Sequence, residues 1–273
     1  MKKNRLIPVL LLKNGWLVQS KGFREYKNLG DPITAVKRLS EWASDELIYL
    51  DISKDDVYDR NREEHGHPNR KDFYEIIKDV AATTFMPLSV GGKINTLKDI
   101  EKRLKLGADK ITINSIVLEN PNFITDAAKE FGSQCIIISI DVKSNSGNYK
   151  VYSHKKNLTT DIDPLKLSKE CEDLGAGEIF INSVERDGMG SGYDLKLIDK
   201  IAKKVSIPVI ACGGVGDWNH FSEALKTTNV DAVAAANIFH YKDQSVYLAK
   251  KFLHDDGLNV RKPVLMNLNN NSR

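Results

Sequence analysis

Cysteine is scarce in this chain, and its placement is as informative as its number. Cys135, Cys171 and Cys212 are the three in 273 residues. An odd count at wide spacing makes neither a disulfide framework nor a CxxC metal site. Cys135 and Cys212 sit in apolar runs, where a buried thiol is expected. The usage fits a reducing, cytoplasmic setting. An excess of one charge is also missing: 40 Lys and Arg face 37 Asp and Glu, for a net +3. The basic residues are scattered rather than blocked, which excludes a charge-driven nucleic-acid surface. No window approaches the roughly 18 apolar residues of a membrane span. The basic start Met1–Arg5 is followed only by Leu6–Leu12 and then Lys13, with no small-residue cleavage site, so no signal peptide is expected. No redox or metal motif appears, so no cofactor and no metal are expected. His65 and His67 lie in a polar stretch, 54–70, without further ligands at metal-binding spacing.

What the chain does have is recurrence. With 41 % apolar and 28 % charged residues it has the composition of an ordered globular protein. Short apolar runs occur at Leu6–Leu12, Leu47–Asp51, Met86–Val90, Lys110–Asn114, Cys135–Asp141, Glu178–Ser183, Pro208–Cys212 and Asp231–Ala236. None alternates strictly, which suits strands buried on both faces of a parallel sheet. Helical periodicity fills the gaps, as in Thr34–Ala43, Lys71–Ala82, Thr96–Leu106, Pro164–Leu174 and Leu195–Val205. Pro121 and Pro164 fit first turns of helices. Eight βα units in series predict a closed (β/α)8 TIM barrel over residues 1–266, with a polar tail at 267–273.

The runs also repeat in halves. Asp45-Glu46-Leu47-Ile48 echoes Ala176-Gly177-Glu178-Ile179, Pro87 to Gly92 echoes Pro208 to Gly214, and Ala108-Asp109-Lys110-Ile111 echoes Val230-Asp231-Ala232-Val233. The offsets are about 122 residues for the last two and 131 for the first, which places about nine extra residues after the second strand. Two related half-barrels are implied, so functional features should come in pairs. A second insertion, 143–161, contains Gly147 to Tyr152, which reads as a hairpin over the mouth of the barrel.

In such a barrel, chemistry sits just past the C-terminal ends of the strands. Gly91-Gly92-Lys93 follows the third run and Gly213-Gly214 the seventh. Asn114-Ser115 and Asn237 follow the fourth and eighth. Glycines beside neutral donors at helix N-termini predict two anion cradles facing each other. Asp141 ends the fifth run, where a carboxylate is costly unless it is paired or working, and it is the first candidate acid/base. Lys13 matches Lys143 at an offset of 130, so Leu11 stands where its half-barrel twin would be an acid. Asp51 and Asp187 could hold ribose-like hydroxyls, and Asp187, before Gly188, reads equally as a turn residue. At the other end Arg5, Glu46, Lys110 and Glu178 open four strands with alternating sign. Spacing alone does not decide between solvated charges and a ring across the axis.

These residues together resemble the HisF family, the cyclase subunits of imidazole glycerol phosphate synthase. The likeness spans about residues 4–261 and rests on Arg5-Leu6-Ile7-Pro8, Leu50-Asp51-Ile52, Ser89-Val90-Gly91-Gly92, Ile140-Asp141-Val142-Lys143, Glu185-Arg186-Asp187-Gly188, Ser191-Gly192-Tyr193-Asp194 and Gly257 to Arg261. The resemblance implies a HisH-like glutaminase docked on the barrel bottom, with Asp109 facing it. Ammonia would enter through a gate of Arg5, Glu46, Lys110 and Glu178 and react at the barrel top. It also implies two catalytic aspartates, of which Asp141 is one and Leu11 replaces the other. Lys93, Asn237 and Gln19 depart from the family's glycine, serine and lysine. An intact entry with an altered reaction site is similar to a HisF-like branch associated with surface-polysaccharide genes. There, ammonia is thought to amidate a nucleotide-linked sugar, with the amide made by a separate synthetase. That reading leads. A true cyclase of histidine biosynthesis is the alternative, and a non-catalytic scaffold that activates its glutaminase is a third. Each needs a protein partner; the first two also need a small phosphorylated or nucleotide-sugar substrate, and none needs nucleic acid or membrane.

Overall fold

The apolar runs become parallel strands that close on themselves. The computed structural model describes residues 3–56, 58, 70–145 and 147–265. Its strands are β1 (Arg5–Lys13), β2 (Trp16–Lys21), β3 (Glu25–Gly30), β4 (Leu47–Asp51), β5 (Leu88–Gly91), β6 (Lys110–Ile113), β7 (Ile136–Asn145), β8 (Asn148–Ser153), β9 (Leu158–Thr159), β10 (Glu178–Ser183), β11 (Val209–Cys212) and β12 (Ala232–Ala235). Among these, β1, β4, β5, β6, β7, β10, β11 and β12 pair in parallel in that order, and β12 pairs back to β1. The helices are α1 (Pro32–Glu41), α2 (Phe73–Thr83), α3 (Leu97–Lys105), α4 (Phe123–Phe131), α5 (Pro164–Asp173), α6 (Leu195–Lys204), α7 (Trp218–Thr227) and α8 (Ser245–Asp255). The described chain is therefore a TIM barrel.

Strand periodicity sorts the core into two clusters. One face of each strand packs under the helices, as Leu6, Leu10, Leu47, Tyr49 and Ile138 do. The other face fills the lumen with Ile7, Val9, Ile48, Ile137, Phe180 and Ile210, plus Ala232 and Ala234. Each large side chain fully buried this way contributes roughly 1.5–3 kcal/mol. On one side the lumen lining turns polar and small, where the hydroxyls of Ser89 and Thr112 lie 2.8 Å apart.

Helix starts follow from acidic caps. Asp31 accepts from the amides of Ile33 and Thr34 ahead of α1, and Asp163 accepts from Leu165 and Lys166 ahead of α5, each with proline in the first turn. These two Asp-Pro starts occupy equivalent places in the two halves. Thr96 and Asp99 form a capping box on α3. Pro121, expected in a first turn, instead precedes α4 in the turn that leads into it.

One expectation needs correction. Cys135 is only half-buried, because it closes a short 3-10 turn ahead of β7 rather than lying within the strand; Cys171 and Cys212 are buried. One element is additional to those expected: β2 and β3 form an antiparallel hairpin on the end of β1. Its counterpart after β7 is the expected hairpin, with Val142 opposite Val151. Most of the 54–70 insertion, with His65 and His67, lies outside the described residues, as does the tail at 267–273.

Candidate active site

The four strand-opening charges meet on the barrel axis. Arg5 Nη1 lies 2.7 Å from Glu46, and Arg5 Nη2 lies 2.5 Å from Glu178. Lys110 Nζ closes the circuit at 3.0 Å from Glu46 and 2.5 Å from Glu178. Alternating signs in a closed ring leave each carboxylate between two cations. Burial works against the charge on Glu178, but hydrogen bonds and charge from Arg5 and Lys110 win and hold its pKa below the usual range. Arg5 Nε is buried without a partner. The geometry thus assembles the ring that spacing alone could not decide. Asp109, also at this end, is exposed, but its carboxylate accepts the Leu88 amide at 2.8 Å. Asp45 does the same for Leu6 and Asp231 for Val209, so this aspartate belongs to a recurring strand clasp.

At the opposite end a cavity of about 910 Å3 opens among the strand ends. That is within the size range of small-molecule sites. Asp141 lies buried at its base and accepts from Asn114 Nδ2 at 3.0 Å. Burial, reinforced by the charge of Asp187, pushes the Asp141 carboxyl up to about 7 against the opposing Asn114 hydrogen bond. A group poised there can both give and take a proton near neutrality. Leu11 and Leu50 supply apolar wall to the same cavity.

The two expected anion cradles are not equivalent. Gly92, Lys93, Asn114 and Ser115 line the cavity; Gly91, Gly213, Gly214 and Asn237 do not, and all four are buried. Gly92 has φ +106°, and a Cβ there would stand 2.2 Å from the Asp51 carbonyl oxygen, so glycine is required by the backbone alone. Gly214 is held the same way: its φ is +102° and a Cβ would fall 2.1 Å from Gly192 O. Arg186 donates to the carbonyls of Ser191 and Gly192 on that side.

Asp187, Gly188 and Asn237 together seat the first hairpin. Ser20 Oγ donates to Asp187 at 2.6 Å, Asn237 Nδ2 donates to Ser20 O at 2.7 Å, and a Cβ on Gly188 would meet Ser20 O at 2.5 Å. Asp187 still borders the cavity, and burial raises its pKa. Asp51 is similarly occupied. It accepts from Ser53 N at 2.9 Å, from the Ser53 hydroxyl and from Tyr58 at 3.1 Å; burial raises its pKa against those bonds. Lys93 takes a left-handed φ of +52°, and its ammonium turns to Asp56 at 3.2 Å, Asp51 at 3.9 Å and the Asp55 carbonyl. Its charge is spent on neighbouring carboxylates rather than offered to the cavity.

Sequence reasoning missed several lining residues, Arg103, Phe23, Tyr26 and His154 among them. Arg103 is buried and clamps Gly92 O at 2.7 Å and Asp99 O at 2.8 Å. Its position three after buried Ile100 placed it on the inward stripe of α3, a readable signal. Phe23 and Tyr26 ride on the unforeseen hairpin. His154 follows β8 and meets Phe23 edge-on, ring centroids 6.0 Å apart. Among the described residues no group of His, Cys, Asp and Glu could hold a metal ion, and no helix is long and apolar enough to cross a membrane.

Comparison with known proteins bears on this geometry. A family model described as "Histidine biosynthesis protein" matches residues 5–245. The "Imidazole glycerol phosphate synthase subunit HisF" of Hydrogenobaculum sp. (strain Y04AAS1) is 40 % identical over 262 residues, covering 96 % of this chain and all of the relative. Proteins of the same name from Bacillus cereus (strain G9842) and Anoxybacillus flavithermus (strain DSM 21510 / WK1) are 39 % and 38 % identical with the same coverage.

Proposed function

Because the chain belongs to the HisF family of histidine biosynthesis proteins, we propose that it is the ammonia-accepting barrel of a glutamine-dependent synthase. A HisH-like glutaminase docks at the ring end. The ammonia leaves at the cavity for an acceptor other than the histidine precursor, a nucleotide-linked sugar of surface-polysaccharide synthesis. The setting is cytoplasmic. One observation carries the reading: the ring is complete, while at the ends of β1 and β7 the cavity wall holds Leu11 and Asp141 where the repeat calls for two acids.

Each part has a physical task. Ammonia is a nucleophile only when unprotonated. A lumen of Ile7, Val9, Ile48, Ile137 and Phe180 penalises ammonium and favours the neutral molecule. The ring is closed by four ion pairs, so passage requires one to open; Arg5 and Lys110 are its more exposed members. Asp141 then manages the proton that the bound nitrogen must lose. Leu11 removes the partner that would protonate or deprotonate on the other face.

The second reading is a true cyclase making imidazole glycerol phosphate. It is favoured by relatives of that name aligned over their whole lengths. Purified protein given ammonia and the ribulosyl-aminoimidazole bisphosphate precursor separates the two. The proposal expects no imidazole product from the chain as it stands. It expects Leu11→Asp to raise ring closure by about 10²–10⁴-fold, the usual worth of one acid/base group. Ready turnover without the substitution overturns the non-histidine acceptor and establishes the cyclase. Glutaminase stimulation with no ammonia transfer at all would leave a scaffold.

A further inference from the structure

The glycine cradles leave the cavity short of free positive charge. The one after β11 is buried, and the one after β5 carries Lys93, whose ammonium is held by Asp51 and Asp56. Arg103 is turned to backbone carbonyls, and Lys155 is paired with Glu119 at 2.8 Å. Two basic groups on the wall remain unengaged. Lys54, exposed just past β4, makes no ion pair or hydrogen bond among the described residues. His154, exposed on the second hairpin, makes no side-chain hydrogen bond there and has its ring placed by Phe23 and by Tyr152, whose centroid is 6.5 Å away. Lys13, at the end of β1, holds its ammonium 4.1 Å over the ring of Tyr26, which lines the same cavity.

We propose that Lys54 and His154, backed by Lys13, form an anion site at the cavity rim for a phosphate group of the ligand. The three come from β1, from the end of β4 and from the second hairpin, so only the closed barrel brings them together. Partial burial and the charges of Lys54 and Lys13 already disfavour a proton on His154, which is what crowding of cations without a shared counterion does. A phosphate dianion placed among them reverses that repulsion and offers three acceptor oxygens to an ammonium and an imidazole N–H. Phosphate here would put the rest of the ligand over Phe23 and Tyr26, toward Asp141. The inference rests on the cavity being the ligand site but not on which acceptor it takes.

The test uses the full chain and three probes: inorganic phosphate, ribose 5-phosphate and uridine diphosphate. Binding is read by calorimetry and by the imidazole NMR signals of His154. Lys54→Ala and His154→Ala should each weaken binding at least about fivefold, and the double variant at least about twentyfold, since charge-assisted contacts are the strong ones. His154→Gln should recover part of the loss. Tighter binding of one organic phosphate than of inorganic phosphate, lost in both variants, supports the site and tells a sugar phosphate from a nucleotide. Wild-type affinity in both alanine variants, or no binding of any probe to the unaltered chain, overturns it. Ammonia-dependent turnover is measured separately, so the site can fail while the proposed function stands. Both side chains are exposed, and thermal unfolding checks that the variants fold.

Discussion

Asp141 sets one buried carboxyl in the wall of the cavity. Its pKa is raised to about 7 by burial, against 3.8 for a free aspartate. The folded state therefore binds a proton that the unfolded chain has already released between those values. Stability contributed by this group is full below pH about 4 and is lost as pH rises through about 7. Asp141→Asn removes the titration. The variant should unfold like the original at pH 4 and be more stable at pH 8 by roughly 2–4 kcal/mol, read from urea midpoints across pH. It should also lose product formation. A difference that does not shrink toward pH 4 would contradict the assignment. The position of Asp141 at the end of an apolar run was legible in the sequence, because a carboxylate there is anomalous. The fate of Lys93 was not. Its ammonium is claimed by Asp56, which lies far along the chain on another loop, and no local pattern encodes that meeting.

Elements are held by a few buried polar contacts as much as by the core. α8 is fastened to the barrel by Lys250, whose ammonium donates to Asp45 at 2.6 Å and to Ala43 O at 2.8 Å, with both charged side chains almost fully buried. Asp45 also accepts the Leu6 amide, tying β1 to the start of β4. Lys250→Ala removes the close, buried cation of Asp45 and leaves only the exposed Arg261, 3.9 Å away; it should destabilise by about 3–5 kcal/mol in equilibrium denaturation. A loss under 1 kcal/mol would mean the charge is solvated. The eight barrel strands were readable because burial on both faces writes continuous apolar runs. The β2–β3 hairpin was not. Its second strand, β3, has no buried residue and reads Glu-Tyr-Lys-Asn-Leu-Gly, and the hairpin's seat is supplied by Asp187, Gly188 and Asn237 from the far end of the chain. The second hairpin, equivalent by repeat, was legible from Gly147 and the alternation that follows it.

The whole molecule has a ring of ion pairs and a polar cavity at opposite ends of an apolar lumen, and the proposed coupling between them is the property to test. Arg5 makes three hydrogen bonds to the two glutamates of the ring, so removing it opens the circuit without touching the cavity. In a complex with the glutaminase, Arg5→Ala should lower product formed per glutamine hydrolysed. Product formed from added ammonia should stay unchanged. Equal losses by both routes would place the defect in folding or in the cavity. No change by either would remove the ring from the path. The wild-type ratio of the two rates serves as the reference.

The amino-acid sequence by itself determined the barrel, its two related halves, the acid that ends the fifth run opposite Leu11 and the identity of the four charges at the other end. These are consequences of periodicity and of charged residues set at strand ends, and both survive in one dimension. Tertiary structure alone decided that the four charges form a closed ring, that one glycine cradle is buried, that Asp51, Asp187 and Asn237 are engaged by the protein itself, and that Lys54 and His154, remote in sequence, line one cavity. Those facts depend on distances between side chains from remote strands. A closed barrel sets such distances through register and through the packing of hairpins, which no local run of residues records.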